Sequence, residues 1–307
     1  MTRYLVKRLA ALVALAIGVS IVCFSLVRLI PGDPARVLLG TSGGDQALLD
    51  SLTRELGLDK PITTQYFVWI GHVLRGDFGY SYSQQRPVSQ MIGDNIVPTL
   101  QLTLAGLTIT IAGGILLGVV AAVKRNSAVD TTLMAFAVTF LSIPAFWLGL
   151  LLLVLFAVQI PIFDVIGGTS FKGLILPAVT LGLGGIGLTS RFVRSSVIES
   201  GRQLYVTTAR AKGISELAVL TRHTVRNALL PVLTIVGLQV GSLLSGAVIV
   251  EIVFSRPGLG RLLVDAILAK DYSTVQAVIL LVAIIYSLVN LAVDLLYSVL
   301  DPRIVAE

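Results

Sequence analysis

VPTLQLTLAGLTITIAGGILLGVVAAV, residues 97–123, carries no ionisable side chain from one end to the other. A helix of about 20 apolar residues crosses the roughly 30 Å of bilayer hydrocarbon, and this stretch is longer. Five others meet the same test, at 9–30, 131–158, 173–193, 230–254 and 274–299. The charged residues inside them are few: Arg28, Arg191, Glu251 and Asp294. They sit toward the ends, Asp294 the deepest of them, and long side chains near span ends reach the headgroups. Composition agrees. Of 307 residues, 55% are hydrophobic and 13% charged, against about 25% charged in a soluble domain. The mean hydropathy is +0.91. These values exclude a water-soluble domain and a disordered polar chain. The expected fold is an all-α membrane protein with six transmembrane helices. Cys23 is the sole cysteine, so no intrachain disulfide forms.

The first span is expected to stay uncleaved. Its apolar core exceeds the 7–15 residues of a signal peptide and ends in Pro31-Gly32-Asp33-Pro34 instead of a small-residue cleavage site. Six spans put both termini on one side of the membrane. That side carries Arg3, Lys7, Arg8, Lys124, Arg125, Arg191, Arg194, Arg202, Arg210, Lys212, Arg222, Arg226 and Arg303. The short loops opposite hold Lys172, Arg256, Arg261 and Lys270, thirteen against four. Basic loops stay in the cytoplasm, so both termini are expected there. The net charge of +6 then needs no nucleic acid. The chain divides into 1–30, the N-terminal end and first span; 31–96, an external helical segment; and 97–307, a five-helix core with a cytoplasmic loop at 194–228.

In the external segment, residues 45–56 predict an amphipathic helix, with Leu48, Leu49, Leu52 and Leu56 on one face and Gly57 as its stop. A second helix runs from Pro61 to about Leu74, capped by Asp59, with Tyr66, Phe67, Trp69, Ile70 and Val73 on a broad apolar face. This face fits either a cap on the spans or a docking surface for an external partner. In the cytoplasmic loop, residues 205–212 predict two turns of helix ended by Gly213. Ser215 caps a following helix that runs on toward Pro231. So short a helix needs a surface to pack on. The small side chains of Thr208, Ala209 and Ala211 permit close approach by another protein; the plainer reading is a basic loop on anionic headgroups.

No G-x-x-x-x-G-K-[ST] occurs, so the chain has no P-loop of its own. Gly182, Gly184 and Gly187 spell G-x-G-x-x-G, but inside an apolar span with no preceding strand. They read as close helix packing, as do the pairs Gly114/Gly118 and Gly237/Gly241. His72 and His223 fall on opposite sides of the membrane and cannot share a metal. Nothing predicts enzyme chemistry. Asp294, with Asn290 one turn before it, is the one acid well inside a span. It suits a proton-coupled carrier, or a structural pairing, since it lies about 9 Å from the span end at helical rise.

Tyr205-Val-Thr-Thr-Ala-Arg-Ala-Lys-Gly213-Ile-Ser, followed by Arg222-His-Thr-Val-Arg-Asn-Ala-Leu-Leu-Pro231, resembles the EAA-type loop of bacterial ABC importer permeases. The likeness is to the dipeptide/oligopeptide/nickel permease family, whose glutathione-importing members look about as close. Leu29-Ile-Pro-Gly-Asp-Pro34, Leu56-Gly-Leu-Asp-Lys-Pro61, Gly76-Asp-Phe-Gly79, Arg256-Pro-Gly-Leu-Gly-Arg-Leu-Leu-Val-Asp265 and Asp301-Pro-Arg303 agree with it in order. Two features depart from the generic loop. Thr207-Thr208-Ala209 replaces Glu-Ala-Ala, and the distance from Gly213 to Pro231 is longer.

The resemblance implies a type I ABC importer permease in the bacterial inner membrane. A second permease subunit would complete the path, and two ATPase subunits would supply ATP and Mg chemistry, this chain binding no cofactor. An external binding protein would deliver a dipeptide, oligopeptide, glutathione, nickel chelate or haem. The ATPase-coupling helix would comprise Tyr205, Thr208, Ala209, Arg210, Ala211, Lys212 and Gly213. Polar residues in apolar spans are candidates for the path: Gln101, Ser142, Gln239, Ser242, Ser245 and Asn290, with Thr103, Thr108 and Thr139 also considered. Two alternatives are a proton-coupled carrier using Asp294 and a non-transporting scaffold that recruits proteins through the basic loop.

Overall fold

The computed structural model describes residues 2–29, 46–55, 60–164 and 168–300. Along the chain come α1 (Thr2–Leu29), α2 (Gln46–Glu55), α3 (Ile62–Leu74), the hairpin strands β1 (Tyr80–Ser81) and β2 (Arg86–Pro87), α4 (Val88–Val123) and α5 (Ala128–Ser142). Then follow α6 (Ala145–Leu153) with a π-helical extension Val154–Gln159, α7 (Phe171–Ser200) and α8 (Leu204–Ala211). Next, α9 (Glu216–Ala218) passes through a π-helical stretch, Val219–Val225, into α10 (Arg226–Val253). The last two helices are α11 (Leu259–Leu268) and α12 (Tyr272–Leu300). The expected Asp59 cap, the stop at Leu56 and Gly57, and the motif residues at 30–34 and 301–303 lie outside the described residues.

Segments of α1, α4, α7, α10 and α12 are each long and apolar enough to cross a membrane, and α5 with α6 makes a sixth span when the bent pair is taken as one. The sequence predicts one span at 131–158. Within it the chain turns by 104° between α5 and α6. Pro144 is the cause: it has no N–H to donate and pushes Ile143 out of the helical region, to φ −80°, ψ 126°. Alone, the 15 residues of α5 reach about 22 Å, short of the hydrocarbon thickness.

The described residues form two compact units, divided within α4 and α12. In the unit of residues up to 99 and 257–288, α3 lies on α1. The edge of Phe24 meets Tyr66 at 5.3 Å and its ring lies 5.7 Å from Trp69. The Tyr66 hydroxyl is 2.7 Å from Ser20 Oγ. Phe67, on the same predicted apolar face, stays exposed. From α12, Gln276 Nε2 donates to the Cys23 carbonyl at 2.7 Å. Val88, Ile92, Leu259, Ala277 and Val278 fill the interior.

The hairpin pairs Tyr80 with Pro87 and Ser81 with Arg86. Before it, Asp77 accepts from the Gly79 N–H at 3.0 Å. That bond, with help from His72 and against partial burial, holds the Asp77 carboxyl below the usual range. Asp271 anchors the hairpin. It is 5% exposed and accepts hydrogen bonds from Ser81, from Ser83 Oγ at 3.1 Å and from Thr274 Oγ1 at 2.8 Å. It also accepts from the Thr274 N–H at 3.3 Å, which caps α12. Asp271→Ala removes cap and anchor together, at roughly 1–3 kcal/mol. Protease added to the detergent-purified chain should then cleave the 82–85 turn faster. An unchanged cleavage rate and melting temperature would count against this anchor.

In the unit of residues 100–256 and 289–300, α7 is the central helix. Leu102, Leu176, Leu181, Leu243, Val250 and Phe254 form one core cluster. Val193, Val197, Ala228, Val232 and Val236 form another. In lipid the hydrophobic effect does not drive helices together; dispersion and close backbone approach do. Side-chain size therefore marks the contact face of α4. Gly106, Thr110, Gly114, Gly118 and Ala121 are buried, whereas Leu100, Leu104, Thr108, Leu116 and Val120 are exposed. A methyl on Gly118 would lie 2.6 Å from the Ser190 carbonyl oxygen of α7. On α7 itself, a methyl at Gly182 would lie 2.6 Å from Ile109, and one at Gly187 would strike the Ala137 carbonyl. Of the G-x-G-x-x-G string, Gly182 and Gly187 are packing contacts as expected, whereas a methyl on Gly184 would meet nothing within 4 Å.

Candidate functional site

α8 is short because both of its ends are set locally. Gln203 precedes it in extended conformation, φ −71°, ψ 149°. At the other end Gly213 adopts φ 76°, which suits glycine. There the Gly213 N–H reaches the Arg210 carbonyl at 2.9 Å and the Ile214 N–H reaches Ala209 at 3.3 Å. This 5→2 and 6→1 pair is a Schellman motif. The observed helix starts one residue before and ends one before the predicted 205–212.

The helix is seated by Val206 and Ala209, which pack with Val219 of the π-helical stretch. Ala209 is 6% exposed, so it faces its own chain. Sequence reasoning places it among residues a partner touches; the helical register turns it inward. Thr208, Arg210, Ala211, Lys212 and Gly213 are exposed. Tyr205 is partly exposed, and its hydroxyl lies 2.7 Å from Ser200 Oγ. Ser200 in turn donates to the Thr224 carbonyl at 3.2 Å. Ser200 thus ties the end of α7 to both α8 and the π-helical stretch. Arg210 holds Glu216 through two donors, Nε at 2.9 Å and Nη2 at 3.4 Å.

Composition had no means of finding two further features. Leu204 and Leu217 are 83% and 72% exposed, large apolar side chains on a polar loop. Arg194 of α7 grips Asp130 of α5 with Nε at 2.7 Å and Nη2 at 2.6 Å, which ties α5 to α7. Ser215 stands at the N-cap of α9 but makes no side-chain cap bond. The helix it starts does not stop at Pro231, which lies inside α10.

The path candidates separate by location. Gln239 is buried and donates to Thr189 Oγ1 at 2.8 Å, binding α10 to α7. Ser142, Thr139 and Thr108 are exposed and each bonds a carbonyl one turn back in its own helix. Ser242 and Ser245 stand with Leu238, Ile249 and Ile252 on one exposed face of α10. Gln101 is exposed and accepts from Arg256 Nη2 at 3.4 Å. Arg256 is fully buried and donates through Nη1 to the Gly168 carbonyl at 2.6 Å. It therefore joins α4, the α6–α7 connection and the end of α10. Asn290 is half-buried, Thr103 is buried, and the Asp294 side chain lies outside the described residues. Among the described residues no cluster of His, Cys, Asp or Glu has metal-holding geometry.

Comparison with known proteins gives this arrangement its context. Residues 114–306 match the family model described as "Binding-protein-dependent transport system inner membrane component". Residues 1–103 match the model for the N-terminal membrane component of such systems. The glutathione transport system permease protein GsiC of Salmonella typhi is 43% identical over 304 residues, covering 99% of each chain. GsiC of Escherichia coli is 41% identical over the same length and coverage. The MetNI methionine ABC transporter in inward-facing conformations has a similar fold, with a TM-score of 0.60 at 19% identity over 69% of this chain and 97% of that one. An amino acid ABC transporter solved with histidines gives 0.52 at 18% identity, over 70% and 94%. The chain belongs to the binding-protein-dependent inner-membrane transport components, and is a multi-pass permease subunit of an ABC importer.

Proposed function

We propose that this subunit forms, with a second permease, the inner-membrane path for glutathione or a short peptide of similar size. Two ATPase subunits drive it by gripping α8, and an external binding protein delivers the solute. The seating of α8 carries this reading. Val206 and Ala209 fasten the helix to Val219, while Leu204, Thr208, Ala211 and Lys212 project outward. An ATPase groove closing on that outward face pulls on Ser200 and Val219 together. The ends of α7 and α10 then tilt as one, because α9 continues through Val219–Val225 into α10. Ser242, Ser245 and Gln101 stand on exposed faces of apolar helices, and they line the path in this reading. Glutathione as the solute is supported by the two GsiC relatives.

The test is reconstitution of the chain with candidate ATPase subunits, a second permease and a binding protein, in sealed vesicles. Labelled glutathione and a labelled dipeptide are offered with ATP. Uptake should stop with orthovanadate and persist with a protonophore. The reverse pattern would favour a carrier working through Asp294. Undiminished cellular uptake after deletion of the chain would favour the scaffold.

A further inference from the structure

We propose that the cleft beside α8 is a binding site for one anionic phospholipid, phosphatidylglycerol being the simplest. The cleft lies at the basic end of the second unit and holds about 510 Å³. Its floor is apolar, with Ala122, Val197 and Leu220. Its rim carries Arg125, from the turn after α4, and Arg202, from the turn after α7. Arg210 also borders it but is neutralised by Glu216. Arg125 feels the Asp130 carboxylate, which Arg194 holds, but neither Arg125 nor Arg202 makes an ion pair among the described residues, so two cations border an opening with apolar walls.

That combination selects an amphiphilic anion. A free phosphate would use the cations and leave the apolar floor wet. A zwitterionic lipid would bring its own ammonium group against the two guanidiniums. An anionic phospholipid satisfies both parts, as basic pockets between helix ends do elsewhere. The position matches as well: the cleft lies at the ends of α4 and α7, two helices long and apolar enough to cross a membrane. A lipid wedged there touches the ends of α4 and α7 and the start of the α9–α10 helix, and the last two of these seat α8.

The purified full-length chain is to be delipidated in mild detergent and titrated with phosphatidylglycerol or phosphatidylethanolamine under native mass spectrometry. One phosphatidylglycerol should remain bound, in preference to phosphatidylethanolamine. Each cation near an anionic headgroup contributes roughly a five-fold factor, so Arg125→Gln with Arg202→Gln should weaken binding about 30-fold. The Lys pair, R125K with R202K, should retain it. Arg222→Gln, on the same loop but outside the cleft, should leave it unchanged. If the double Gln variant fails to fold, the single variants each report a five-fold loss. Equal retention of both lipids, no effect of the Gln changes, or no lipid retained by the isolated chain would overturn the proposal. Displacement by soluble glycerol phosphate at equal concentration would also overturn it, because the site would then be a free-phosphate site.

Discussion

Uptake should fall to background when Ala209 is replaced by Trp or by Pro, with the chain still inserted in the membrane. Ala209 has its side chain against Val206 and Val219, and no space remains on that side for an indole. Overpacking of this kind costs about 1–3 kcal/mol, and here the strain has an easy release. α8 spans only 8 residues, and an isolated helix of that length is not stable in water. The seat is lost before the bundle is. Pro removes the bond from residue 209 and strains the turn before it, at about 3 kcal/mol in a helix interior. The spans are untouched by either change, so membrane insertion should survive. Hydrolysis by the ATPase partners should continue at its basal rate, no longer stimulated by loaded binding protein. Normal uptake by both variants would refute the coupling role. A Ser at position 209 fits the same space and should transport nearly as well as the parent.

The second large effect is expected from two glycines three residues apart on α7. Gly187→Ala places a methyl against the Ala137 carbonyl and 2.9 Å from Leu141 Cβ. Neither the backbone oxygen nor the helix that carries it can yield without shifting α5. The loss is about 1–3 kcal/mol, and Gly187→Leu should leave no folded protein. Gly184→Ala meets nothing within 4 Å. It replaces the poorest ordinary helix former by the best, a gain of up to about 1 kcal/mol. Thermal melts of the detergent-purified chain should therefore move in opposite directions for the two Ala variants. Equal shifts would show that α7 does not approach α5 as closely as Gly187 requires. A dinucleotide-binding glycine string would instead lose ligand affinity at both positions.

Much of this protein is legible from hydropathy because a span is a property of one contiguous segment. Residues 97–123 declare themselves a membrane helix whatever they pack against, and the excess of Lys and Arg on one side sets an expected orientation. The brevity of α8 follows from Gly213, whose positive φ ends the helix. The EAA-like loop stands out because its residue types are few and closely spaced.

Other features depend on register between segments far apart in the chain, which no single segment contains. Arg194 reaches Asp130, Arg256 reaches Gln101 and Gly168, and Gln239 reaches Thr189 only because the bundle brings them together. The bend at Pro144 was readable in principle, but an apolar run on both sides of it hides the break. Ala209 is the clearest case. Its small size marks a close contact, and sequence alone assigns that contact to a partner. Helical phase turns it inward instead, leaving Leu204, Thr208 and Lys212 outside. Composition by itself determined that this chain lives in a bilayer, how often it crosses and which loop is basic, because the transfer of each segment into lipid is a sum over its own residues. Which glycines touch, where the third span bends and which face of α8 is free were decided by tertiary packing, because steric fit is a property of two surfaces and not of one.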